Sequence, residues 1–338
     1  MACLSYRYVE MPLRRGKAEL SQAWGQVRRI CLQPGLALFS AAVLVVWAQG
    51  FPGRLSMEGQ RMATALASTP DRWRGDCHGG HRQAPGMSLD CQLGSAEAEP
   101  SILLIGDSHA NHFAGFLQPL LEQAGKAAVD STMDRCLPLL GAEHLGNPDW
   151  PAPCRERNQQ ALRWLQQQPI TEVVLAGRWP LAEELSPQGQ AQLQEAVERT
   201  LFTLRGMGLR VTLLAGVPAL QHNRPDCPLK SARFGHPRQC RTSFPKADAV
   251  RPVLMRLAQK DQELRWLEPA RAQCDAQCRM QIEGFPLYRD AAHLNLLGSE
   301  ALGRAYAEQV GNPFVHSADA RWISAWAEPG RTGESGAR

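Results

Sequence analysis

Two short motifs hold the residue types that nucleophilic catalysis needs. The first is Gly106-Asp107-Ser108-His109, and the second is Tyr288-Arg289-Asp290-Ala291-Ala292-His293-Leu294-Asn295. A serine hydroxyl attacks a carbonyl only when a base takes its proton, and the base needs a third group to orient it. Ser108 is the candidate nucleophile, His293 the base and Asp290 the orienting carboxylate. The short step from Asp290 to His293 lets the carboxylate hold the imidazole Nδ1–H while Nε2 faces the serine. Each motif alone has a plainer reading: Ser108 as a helix cap, and Asp-x-x-His as a surface loop. Together they constrain each other, because one follows the first main strand and the other precedes the last helix. Gly106 and Asp107 are assigned to the nucleophile turn, which Asp107 fixes by local hydrogen bonds. The motif is not a Gly-x-Ser-x-Gly elbow, since Ala110 stands in the last position. Asn111 and His112 read as structural, and His78, His81, His222 and His236 fall in loops without nameable partners.

These side chains need a scaffold, and the apolar pattern supplies one. Ser101–Ile105 (SILLI) is a short apolar run ending in Gly106, as a buried parallel strand should be. Helical periodicity runs from His109 to Gln123, followed by a short strand from Ala127 to Asp130. The pattern continues with a helix at 155–168, a strand at 171–177, a helix at 188–205 and a strand at 209–216. It closes with a helix at 250–262, a strand at 264–267 and a helix at 296–309. Such alternation predicts an α/β fold, an open parallel sheet covered on both faces, with ligands beyond the carboxyl ends of its strands.

Composition narrows the function. Of 338 residues, 44% are hydrophobic and 21% charged, which excludes a disordered scaffold or fibrous repeat. The net charge of +4 lies entirely in residues 1–29, and the rest of the chain is balanced. A nucleic-acid-binding body would carry its own basic face, so nucleic acid is not an expected partner. No charged residue occurs from Ile30 to Gly53, a stretch able to cross a membrane as one helix. Basic residues precede it, which places residues 1–29 in the cytosol and the body outside. A core helix, or a signal peptide cleaved near Val46-Trp47-Ala48, are the alternatives to a retained anchor.

Beyond Cys3 and Cys31, eight cysteines fall as close couples: Cys77/Cys91, Cys136/Cys154, Cys227/Cys240 and Cys274/Cys278. Outside the cytosol an even number suggests disulfides. Eight cysteines allow about 105 connectivities, and nearness favours the sequential one. A Cys/His metal site from Cys77, His78, His81 and Cys91 is the rival, but its spacing fits no familiar zinc pattern, so no metal or other cofactor is expected.

With both motifs in view, the chain resembles the SGNH (GDSL-type) esterase and acyltransferase superfamily. It is most similar to the periplasmic SGNH domain fused to membrane acyltransferase-3 proteins of the O-antigen and peptidoglycan O-acetylase type. GDSH and DAAHLN look like the first and last blocks, and LSYRYVEMPLRR (4–15) looks like the end of the multi-helix membrane domain. CDAQCRM followed by GFPLYRDAAHLN resembles the family's cysteine pair and catalytic loop. The family's Gly-x-Asn-Asp asparagine is absent; Gly177-Arg178-Trp179 stands in its place, an Arg-Trp that the fused variant tends to carry. The resemblance implies a flavodoxin-like three-layer α/β/α sandwich preceded by one transmembrane helix. It also implies an oxyanion and substrate role for Ser108, Gly177, Arg178 and Trp179, packing being the plainer role for the last two.

The expected organisation is a cytosolic remnant (1–29), a transmembrane helix (30–53) and a linker with a disulfide loop (54–98). The SGNH domain (99–315) and a tail (316–338), disordered from Glu328, follow. The resemblance implies serine-dependent O-acyl transfer, by analogy O-acetyl transfer, to a cell-envelope polysaccharide in the periplasm of a bacterial inner-membrane protein. Met1 begins where the multi-span domain would end, so the acyl donor would come from a missing part of the same chain or from a separate membrane acyltransferase. A membrane-anchored carbohydrate esterase and a non-catalytic glycan-binding module are the alternatives.

Overall fold

The computed structural model describes residues 27–48, 50–70, 77–180, 184–220, 224–234, 240, 243–245, 261 and 263–315, with isolated positions at 11, 25, 254 and 256. The basic N-terminal stretch, most of the helix expected at 250–262, His222, His236 and the tail lie largely or wholly outside those residues. The chain divides into two compact units, residues 1–60 and 61–338.

The first unit contains helix α1 (Gln33–Trp47), entered through a π-helical turn at Arg28–Leu32. None of its side chains is buried, and Leu36, Leu38, Phe39 and Val46 are all exposed. A helix apolar on every side has no solvated face to offer water. Arg28–Trp47 spans 20 residues at a mean hydropathy of 2.0, long and apolar enough to cross a membrane.

The second unit is built on a sheet whose strands are β1 (His78–Gly79), β2 (Gln92–Gly94), β3 (Pro100–Gly106), β4 (Ala127–Met133), β5 (Glu172–Ala176), β6 (Arg210–Leu214) and β7 (Arg265–Leu267). Strands β4-β3-β5-β6-β7 run parallel in that order. Counted along the chain, this is the flavodoxin-like order 2-1-3-4-5. Alternate residues of β3 face opposite ways. Ile102 and Leu104 join a core with α2 (Ser108–His112), α3 (Ala114–Gln123) and the last helix. Leu103 and Ile105 join a second core with α4 (Pro151–Leu165) and α5 (Pro187–Gly206). Burial on both faces explains why these strands read as apolar runs rather than as alternation.

Two features depart from the sequence expectation. The helix foreseen from His109 to Gln123 breaks at Phe113, because Ser299 Oγ donates to the His112 carbonyl at 2.6 Å and draws it into a contact outside the helix. The stretch expected to be a linker supplies β1 and β2. These pair with one edge of β4, β1 parallel at Thr132–Met133 and β2 antiparallel at Ala127–Val129, and the Cys77–Cys91 bridge joins them. Strands of two and three residues are too short to leave a period in the sequence. The other bridges are Cys136–Cys154, Cys227–Cys240 and Cys274–Cys278.

Helix α6 (Leu296–Gln309) packs on α3 at small residues. A Cβ on Gly303 would lie 2.3 Å from the Phe116 carbonyl, and one on Gly115 would lie 2.8 Å from that of Leu296. This close approach brings the loop before α6 to the carboxyl edge of β3.

Candidate active site

Strands β3 and β5 are neighbours whose chains leave for opposite faces of the sheet, so a crevice opens beyond their carboxyl ends. The Gly106–His109 turn occupies it. Asp107 is the N-cap of α2: Oδ1 accepts from the His109 N–H at 2.7 Å and Oδ2 from the Arg178 N–H at 2.8 Å. One carboxylate thereby ties the loop after β3 to the loop after β5. Burial raises the Asp107 carboxyl above its ordinary value, and the backbone donors of Arg178, His109 and Ala110 oppose the rise. Since Asp107 does the capping, the Ser108 hydroxyl is released from it. Ser108 Oγ lies 2.9 Å from His293 Nε2.

Both Asp107 oxygens accept, so Asp107→Asn would aim an N–H₂ at a backbone N–H. Leaving that buried donor unmatched is expected to cost about 1–3 kcal/mol, read as a lower midpoint in urea unfolding.

The loop holding His293 is fixed at several points. Asn295 caps α6 through the Gly298 N–H (2.7 Å), and its side-chain amide donates to the Pro286 carbonyl (2.6 Å). Buried Tyr288 donates to the Pro218 carbonyl at 2.6 Å and accepts from Gln273 at 2.8 Å. The Leu220 N–H donates to the Ala291 carbonyl, and the Arg289 N–H to that of His293. Within the loop, Asp290 Oδ1 accepts from the N–H of Ala292 and of His293, both at 2.8 Å. The carboxylate oxygens lie 3.1 and 3.0 Å from His293 Nδ1. Burial alone would raise the Asp290 carboxyl, but the bonds from the His293 ring and the two backbone donors outweigh it and hold it well below the usual carboxylate range. An ionised carboxylate only accepts, which keeps the imidazole proton on Nδ1 and turns the Nε2 lone pair to Ser108. The His109 ring packs 4.7 Å from the His293 ring. His112, buried beneath, is pushed well below its ordinary value, first by burial and then by the charges of His109, His293 and Arg289.

The residues after β5 divide by environment. Gly177 is buried, and a Cβ there would lie 3.3 Å from Asp107 Oδ2. Arg178 points outward, paired with Glu184 at 2.6 Å. Trp179 is 1% exposed, and its indole N–H donates to the Leu214 carbonyl at 2.9 Å, a packing role.

The structure also brings in residues that sequence reading passed over. His78, seen as a loop histidine, bonds Thr132 and Asp134 at the same edge of the sheet. Arg157 is fully buried behind the loop after β4, where it donates to the Cys136 carbonyl at 2.7 Å. Burial pushes its guanidinium down to about 9, opposed by the Asp107 charge. An arginine at a core-facing position of α4 was the available signal for it. Among the described residues, no group of three or more His, Cys, Asp or Glu gathers as a metal site.

A doubly wound sheet with Ser, His and Asp in one hydrogen-bonded line at its carboxyl edge has the layout of an SGNH-type domain. The family model described as an SGNH domain fused to AT3 domains matches residues 76–308, and the chain belongs to that family. Among solved structures it is similar to the periplasmic domain of a lipopolysaccharide acetyltransferase from Salmonella ser. Paratyphi A. The TM-score is 0.51 at 15% identity, covering 73% of this chain and 99% of that one, a likeness of fold. A Streptococcus pneumonia protein described as a candidate platelet activating factor aligns at TM-score 0.36 and 15% identity, over 63% of this chain and 85% of its own, and nothing below rests on it. No curated protein matches in sequence.

Proposed function

We propose that this domain moves an acyl group, by family analogy acetyl, through an ester on Ser108 to a hydroxyl of a cell-envelope polysaccharide such as O-antigen, exopolysaccharide or peptidoglycan. The observation that carries the proposal is the continuous line from Asp290 through His293 to Ser108, at 3.0 and 2.9 Å. His293 Nε2 takes the Ser108 proton as Oγ bonds to the acyl carbon, then returns it to the departing donor oxygen. In the second half a sugar hydroxyl gives its proton to Nε2 and attacks the ester. Ser108 leaves with that proton restored, and the glycan carries the acyl group. The N–H groups of Ser108 and Gly177 are the oxyanion donors in this scheme. Arg178 lies on the substrate side, and Trp179 holds the loop from within the core.

The family's fusion to AT3 domains supports delivery of the acyl donor by a membrane acyltransferase domain or protein. The apolar helix at Arg28–Trp47 with basic residues ahead of it supports an inner-membrane anchor. The four bridges suit an oxidising periplasm. The Salmonella neighbour, a lipopolysaccharide acetyltransferase periplasmic domain, fits the same setting.

One observation favours the esterase alternative. The Asp290 side chain is 50% exposed and that of His293 24%, so water reaches the site. The test incubates the full chain, in a detergent without sugar headgroups, with p-nitrophenyl acetate and oligosaccharides. The expected result is acetyl on the Ser108 peptide after acid quench and a new ester on the glycan by mass spectrometry. Ester cleavage that ignores every glycan, with no glycan ester formed, would make the domain an esterase.

A further inference from the structure

The catalytic line leaves one carboxylate at the same edge without a task. The sheet register sets His78, Thr132, Gly106 and Ala176 side by side on β1, β4, β3 and β5. Ser108 opens α2 two residues past Gly106 and Asp134 follows β4 two residues past Thr132, so both stand just beyond the carboxyl ends of adjacent strands, which run about 4.8 Å apart. Asp134 therefore flanks the nucleophile on the β4 side, as Gly177 and Arg178 flank it on the β5 side.

His78 fixes Asp134 from behind. Its Nδ1 lies 2.9 Å from Thr132 Oγ1 and its Nε2 3.0 Å from Asp134 Oδ1, so both ring nitrogens are engaged. The Asp134 N–H donates to the Gly79 carbonyl at 2.8 Å. The His78 ring is largely covered, at 12% exposed, whereas the Asp134 side chain is 43% exposed. Oδ2 has no hydrogen-bond partner among the described residues. The bond from His78 holds the Asp134 carboxyl below its ordinary value against the effect of burial, and the charges of His293 and His81 add to the lowering. The result is an oriented, ionised acceptor facing solvent beside Ser108. Asp290 already orients the base, so Asp134 is not needed for proton transfer.

Beyond Asp134 the same loops continue outward. The Asn147 amide donates to the His81 carbonyl and its Oδ1 accepts from the Trp150 N–H, while the Arg82 guanidinium lies 4.4 Å over the Trp150 ring. Trp150 is 44% exposed, with the Arg82 guanidinium already packed on its ring.

We infer that Asp134, positioned by His78 and Thr132, forms the acceptor subsite and binds adjacent hydroxyls of a neutral sugar ring. A carboxylate accepts two hydroxyl donors and repels acidic sugars, which selects neutral glycans. The inference deepens the acyl-transfer proposal and rests on it for the acceptor's role, but its test reads binding without turnover.

The full chain carrying Ser108→Ala, in sugar-free detergent, is titrated calorimetrically with isomaltotetraose, whose rings offer adjacent free hydroxyls. The expected result is saturable binding that weakens at least about tenfold when Asp134→Ala is added, and less with Asp134→Asn, which keeps one acceptor and guards against misfolding of the alanine variant. Fully O-methylated isomaltotetraose is expected not to bind. No saturable binding, an affinity within about twofold in both Asp134 variants, or equal binding of the methylated sugar would overturn the inference. Failure of the acyl-transfer proposal is read separately, from ester cleavage.

Discussion

Replacing Ser108 by alanine is expected to slow cleavage of p-nitrophenyl acetate about 10⁴-fold or more. His293→Ala should fall to the same level, and the double variant no further. The reason is the shared proton of the proposed scheme: Ser108 Oγ and His293 Nε2 lie 2.9 Å apart, and in that scheme they act as one unit. Removing either side chain leaves the other with nothing to do, so the losses do not add. What survives is catalysis by backbone donors and binding alone. The measurement is the initial rate for the two single variants and the double, with unfolding curves to establish that each is folded. The parent side chain is small and caps nothing, so Ser108→Ala should leave stability nearly unchanged. Unaltered ester cleavage and unaltered glycan acylation in Ser108→Ala would mean that the line is a relic, and the module would then bind glycan or play a structural part.

The second large effect is on folding. Gly106→Ala is expected to destabilise the chain by roughly 4 kcal/mol or more, a large share of the about 5–15 kcal/mol that usually holds a folded protein. Its Cβ would lie 1.8 Å from the Ala176 carbonyl oxygen and 2.5 Å from Ala110 Cβ. The first is backbone of the neighbouring central strand and the second belongs to the helix that opens at Ser108, so neither can yield without moving the nucleophile turn. Gly80→Ala is the contrast, because a Cβ there meets nothing within 4 Å and should change stability by less than about 1 kcal/mol. Urea unfolding of the two variants separates a steric requirement at the turn from a general cost of losing glycine. Similar stabilities for both would remove the close approach of β3 and β5 as the reason for glycine at 106.

Both effects come from positions that stand out in the sequence. Gly106 ends an apolar run, Ser108 opens the helix after it, and His293 precedes a periodic segment that forms α6 at Leu296–Gln309. Burial on both faces of a parallel sheet leaves continuous apolar runs, and burial of one helix face leaves a period near four, so these elements are written locally. The uncharged segment over Arg28–Trp47 is legible for the same reason, since apolarity on every side of a helix needs no partner to be recognised. Nearness in the chain likewise suggested the cysteine couples.

Tertiary structure decided what depends on strand neighbours. His78 and Thr132 are 54 residues apart and meet only because two residues of β1 dock on the edge of β4. Asp107 and Arg178 are 71 apart and are joined because β3 and β5 are adjacent. That contact makes Asp107 the bridge between loops as well as the cap of its own helix. The break at Phe113 required Ser299, 187 positions from the His112 carbonyl it binds. A hydrogen bond between distant residues leaves no period and no spacing in the chain. It is fixed by the order in which strands join the sheet, and sequence pattern alone encodes that order only through the burial each element seeks.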